Sequence, residues 1–79
     1  MTKAVVITPV HRLGVHFARQ RDATVNDIVI VTTPNQLRGR NLRDVPVYFI
    51  TSGWGFRARR EEMWDCAVTR GAEPIEVDL

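Results

Sequence analysis

Hydroxyl, glycine and arginine side chains collect at three places in this 79-residue chain. Thr8-Pro9 follows the apolar run Ala4-Val5-Val6-Ile7, Thr32-Thr33-Pro34 follows Ile28-Val29-Ile30-Val31, and Thr51-Ser52-Gly53 follows Val47-Tyr48-Phe49-Ile50. The third place is the richest, because Gly53-Trp54-Gly55 leads into Arg57 and Arg59. Glycines allow close backbone approach, and N–H groups at a helix start beside arginines attract oxyanions. Phosphate binding is therefore the chemistry these residues favour, with Thr8, His11, Arg12, Thr51, Ser52, Gly53, Trp54, Gly55, Arg57 and Arg59 as candidate anion-binding residues. The competing reading of the glycines is a tight turn needing positive φ at one or both. Trp54 has two fates: stacking on a base, or folding back over the sheet edge as core. His11 is either an anion donor or an ordinary exposed helix residue. A second basic segment, Arg38, Arg40 and Arg43, suits contacts to a nucleic-acid backbone, which position a strand without reading its sequence.

Catalytic patterns are missing. There is no Walker A motif, and the first apolar run ends in Thr8-Pro9-Val10-His11-Arg12 rather than a three-glycine dinucleotide fingerprint. His11 and His16 diverge by about 140° on a helix and cannot share a metal. Cys66 stands mid-helix without a histidine nearby in the chain. Glu61, Glu62 and Asp65 alternate with Arg57, Arg59 and Arg60 at spacings that ion pairing along a helix explains. No acid stands at the end of the first three apolar runs, so a Walker B ligand and a ribose-binding acid are both absent. The reading is of a non-enzymatic protein with no cofactor and no metal site.

The elements that must position these residues follow from the hydrophobic pattern. Ser or Thr caps orphan helix N–H groups and Pro fits a first helical turn, so each strand-end signal announces a helix or turn. The first strand runs from Lys3 to Ile7, and a helix fits Pro9 to Arg21, with Val10, Leu13, Gly14 and Phe17 on one face. Asp22 to Asp27 closes that helix. The runs Ile28 to Val31 and Val47 to Ile50 are apolar without alternation, as strands covered on both faces are. Thr33 to Leu37 forms one helical turn, and Leu37 and Leu42 pin the basic connection that follows it. A second helix fits Arg57 to Arg70, with Met63, Trp64, Ala67 and Val68 inward and Gly71 at its end. Pro74 to Leu79 alternates strictly, which marks an edge strand with one wet face.

Strand–helix repetition predicts a parallel sheet, and right-handed crossovers give the order 2-1-3-4. The expected fold is a single small three-layer α/β domain over residues 1–79, Rossmann-like in winding, with a mainly parallel four-stranded sheet. In such sheets ligands sit beyond the carboxyl ends of the strands, where the threonines gather.

Composition bounds the setting. The formal charge is +2, but residues 1–43 carry seven basic and two acidic groups and residues 44–79 carry four basic and seven acidic. Such asymmetry steers anionic partners or supports head-to-tail association, or is simply a solvated arginine-rich surface. A single cysteine forms no internal disulfide, which fits a reducing cytoplasm. No apolar run approaches the ~20 residues of a membrane span, and Met1-Thr2-Lys3 leads into a strand rather than a signal peptide. The uncharged run Ile28 to Val31 falls on a sheet edge in the 2-1-3-4 order, which predicts a homodimer unless the 38–44 connection folds over that edge.

Ala18-Arg19 within the first helix and Gln36-Leu37-Arg38-Gly39 after the second strand, in this strand–helix order, resemble small accessory proteins of tailed bacteriophages. The resemblance implies an accessory viral protein in a bacterial host cytoplasm and brings no activity with it. Two functional expectations follow. One is a module that binds nucleic acid or a nucleotide at the strand-end face. The other is an adaptor or inhibitor that binds a host or viral protein, acting as a homo-oligomer.

Overall fold

The computed structural model describes residues 4–21 and 28–78. In chain order these form β1 (Ala4–Ile7), α1 (His11–Gln20), β2 (Ile28–Val31), a 3-10 turn (Pro34–Leu37), β3 (Val47–Ile50), α2 (Arg57–Thr69) and β4 (Ile75–Val77). Lys3, the closing segment from Asp22 to Asp27, and Leu79 lie outside the described residues.

The four strands make one wholly parallel sheet in the order β2-β1-β3-β4, as the sequence predicts. The chain steps one way from β1 to β2 and the other way from β3 to β4. Two right-handed crossovers in opposite directions put α1 and α2 on opposite faces. Side-chain alternation then divides the apolar residues between two cores. On the α2 side Val5, Ile7, Val31, Val47 and Phe49 pack with Leu37, Leu42, Met63 and Ala67. On the α1 side Val6 and Ile50 pack with Phe17, flanked by Leu13, Ile28, Tyr48 and Val77. Arg21 lies over the rings of Phe17 and Tyr48, 4.9 and 5.1 Å from their centroids, and closes that side.

Close approach of α1 depends on Gly14. A Cβ built there would lie 2.8 Å from Ile30 Cγ2 and 3.2 Å from Thr8 Cγ2. The connection from β2 to β3 has to cross β1, and Leu37 and Leu42 drop from it into the α2-side core. It therefore covers the sheet face beside α2, and β2 remains a sheet edge.

Several local expectations are corrected. At the 3-10 turn Gln36 Oε1 accepts from Thr33 N–H at 3.0 Å, the reciprocal half of a capping box, but α1 and α2 have Val10 and Phe56 at their N-caps and no side-chain cap. Both residues are extended, so the helices start two and more residues beyond the hydroxyls. Val10 is consequently 41% exposed rather than inward-facing, and Val68 is 46% exposed because it falls beyond the arc of α2 that Met63 and Ala67 bury. Ile75 of β4 is 51% exposed, so both faces of that strand are largely wet. It pairs with Tyr48 on the α1 side, where the helix joins β1 to β2 and sits away from β4.

Candidate functional site

β1 and β3 are direct neighbours, so the segments after Ile7 and Ile50 leave the sheet side by side. A Cβ on Gly53 would lie 3.1 Å from both Pro9 Cγ and Leu13 Cδ1, which brings the Gly53 loop against the start of α1. Gly53 adopts φ +86° and Gly55 does not adopt a positive φ, so one glycine of the pair meets the turn requirement. Thr8, Thr51, Ser52 and Gly53 thus share one end of the sheet, as the 2-1-3-4 order requires.

Their donors are largely engaged within the protein. Thr8 is fully buried, and its hydroxyl donates to the Val10 carbonyl at 2.8 Å. Thr51 donates to the Val77 carbonyl from its backbone N–H at 2.9 Å and from its hydroxyl at 3.2 Å. Ser52 is half-buried. The Trp54 indole N–H donates to the Ile50 carbonyl at 2.6 Å, and the ring stacks on Phe49 with centroids 5.6 Å apart and planes at 17°. Trp64 meets the same Phe49 edge-on at 5.1 Å. Of its two possible fates, Trp54 takes the one over the core, because Phe49 offers a wholly buried aromatic partner next to a strand-end carbonyl.

Arg59 ties the strand ends together. Its Nη2 donates to the carbonyls of Pro9 and Thr32, each at 3.3 Å, and its guanidinium lies 5.4 Å from the centre of the Trp54 ring. One side chain from the third residue of α2 therefore joins the loops after β1, β2 and β3.

The groups that still face solvent on this rim are His11 and Arg12 in the first turn of α1 and Arg57 in the first turn of α2. Neither first turn holds an acid. Arg57 pairs with Glu61 at 2.9 Å, but the side chains are 90% and 62% exposed, so the pair is a weak one. Arg60, whose spacing on the helix predicts ion pairing along α2, lines an indentation of about 360 Å³ between α2 and β4 with Arg57, Trp64, Glu61, Asp65 and Glu76. Its three carboxylates outnumber its two arginines, so this indentation does not favour an anion.

Arg38, Arg40 and Arg43 are exposed on the connection, and Arg43 lies against Gly71 at the end of α2 opposite its first turn. Arg40 donates from Nε to the Gln36 carbonyl at 3.0 Å. Arg40 and Arg43 meet Arg70 across a cleft at the end of α2, a neighbour that no motif in the sequence reveals because it comes from a distant element. Among the described residues no group of three or more His, Cys, Asp or Glu is placed to hold a metal. No helix among them is long and apolar enough to cross a membrane.

Fold and rim together define a small three-layer α/β domain with a parallel sheet and a basic strand-end face. No family model, curated protein or solved structure matches this chain.

Proposed function

We propose that this protein is a non-enzymatic binding module that engages a phosphate-bearing ligand, nucleic acid or nucleotide, at its strand-end face. One observation carries the reading: two helix N-termini without side-chain caps or first-turn acids open on one rim bearing His11, Arg12 and Arg57. Unpartnered N–H groups and aligned peptide dipoles at such ends favour negative charge. Arg59 and Gly53 hold the two ends together, so the rim is a single surface rather than two. The tailed-phage likeness at Ala18-Arg19 and Gln36–Gly39 supports an accessory role in a bacterial cytoplasm.

Binding of a labelled single-stranded oligonucleotide, followed by fluorescence anisotropy across a salt series, tests this reading. Each lost phosphate contact flattens the log–log salt dependence by about 0.7, so Arg12→Ala with Arg57→Ala lowers the slope by roughly 1.4. An unchanged slope and affinity in the double variant refutes the rim as the site.

A second reading, association of two copies, is favoured by the position of β2. Ile28–Val31 forms a sheet edge without a charged or proline residue to block pairing.

A further inference from the structure

We propose that the cleft between the 38–44 connection and the last turn of α2 is a second oxyanion site, built to take one phosphate group and separate from the strand-end rim. Arg40 and Arg43 approach it from the connection and Arg70 from the end of α2, with Asn41 and Thr69 on its walls and a volume of about 720 Å³. No carboxylate lines it.

The backbone around the cleft is fixed. Leu42 N–H donates to the Arg70 carbonyl at 3.0 Å, and Asn41 Oδ1 accepts from Arg43 N–H at 3.0 Å. Gly71, at φ +92°, lets the chain turn against Arg43, whose Cβ would lie 3.4 Å from a Cβ added there. Arg43 and Arg70 are therefore held next to each other by backbone contacts on both sides.

Arginines near a helix C-terminus commonly serve its orphan carbonyls. Here the Ala67 and Val68 carbonyls already have backbone partners, and among the described residues no arginine side chain serves the helix end. Arg70 N–H and Ala72 N–H donate to the Ala67 carbonyl, Gly71 N–H to that of Val68, and the Thr69 hydroxyl to that of Asp65. The guanidinium groups of Arg43 and Arg70 make no ion pair or hydrogen bond among the described residues, and Arg70 Nε is buried without an acceptor. A buried charged donor lacking an acceptor and like charges gathered in one cleft are both unfavourable alone. A tetrahedral oxyanion seated among the guanidinium groups offsets the like-charge repulsion, and its paired oxygens match the guanidinium fork. Helix capping leaves these arginines unexplained, and phosphate binding explains them.

Titration of the full chain with inorganic phosphate, followed by backbone amide resonances, reads the site directly. The expected result is saturable shifts at residues 40–43 and 69–71, with affinity about tenfold lower in Arg43→Ala, the cost of one charge-assisted contact. Arg70→Lys keeps the charge and the helix end but loses the Nε donor, and it weakens binding similarly. Arg12→Ala leaves the affinity of these resonances unchanged, which separates this cleft from the rim. Cys66, the single cysteine of the chain, also lines the cleft, so phosphate slows its alkylation by iodoacetate. If a short oligonucleotide shifts the same amides with a steeper salt dependence, the phosphate belongs to a nucleic-acid backbone. If only inorganic phosphate does so, the ligand is a free phosphate or small phosphate ester. Amides that do not move, or equal affinity in the wild type, Arg43→Ala and Arg70→Lys, overturn the proposal.

Discussion

Replacing Arg59 with alanine tests whether the strand-end rim is held by one side chain. The variant loses two hydrogen bonds, to the Pro9 and Thr32 carbonyls, and the contact with the Trp54 ring. At 3.3 Å both bonds are long, so each counts toward the low end for a charged donor, about 1 kcal/mol. The ring contact adds about 0.5 kcal/mol at an exposed position. Freeing a long side chain returns roughly 1 kcal/mol of conformational entropy. The net loss is therefore about 1.5 kcal/mol, equivalent to a fall in Tm of roughly 6–12 °C for a domain of this size. Thermal and urea unfolding followed by far-ultraviolet circular dichroism measures it without relying on Trp54 as the reporter. Arg57→Ala, two residues earlier on a 90% exposed side chain, is the control and stays within about 0.5 kcal/mol of the wild type. If Arg59→Ala is equally silent, or if both variants lose the same amount, the strand ends are not latched by Arg59. The packing of the Gly53 loop on Pro9 and Leu13 then holds the two helix starts together by itself.

Gly14→Ala gains helix propensity of about 1 kcal/mol but forces a methyl to within 2.8 Å of Ile30 Cγ2, on a stiff β-branched side chain. Overpacking of that kind costs about 1–3 kcal/mol, so the variant melts below the wild type, and a higher melting temperature refutes the close-approach argument. For the edge of β2, light scattering at micromolar concentration gives a mass near twice 9.0 kDa, and Ile30→Lys returns it to the single-chain value. A monomer in the wild type excludes edge pairing.

The architecture was legible because it rests on steric rules that act locally. Ile28–Val31 and Val47–Ile50 are found at the residues expected, since uninterrupted apolar runs bounded by Thr, Pro and Gly have few alternatives. The order β2-β1-β3-β4 follows from crossover handedness, and the adjacency of Thr8 to the Thr51–Gly53 segment follows from that order. Helix starts were less legible. Thr8 was expected to cap α1, but its buried hydroxyl instead turns to the Val10 carbonyl, and the helix begins at His11 with its end open. A hydroxyl has several acceptors within reach, and burial selects among them.

Composition and pattern by themselves determined that this chain makes a parallel sheet with helices on both faces and hydroxyl-rich strand ends. Tertiary structure alone decided which of those groups remain available to a ligand. It placed Trp54 on Phe49, spent Arg59 on two carbonyls of other loops, and left Arg12 and Arg57 facing solvent. It also brought Arg70 to Arg40 and Arg43, which lie in another element. Backbone sterics and hydrophobic periodicity are written into neighbouring residues. The partner of a long polar side chain depends on distances between elements far apart in the chain, and these exist only once the core has packed.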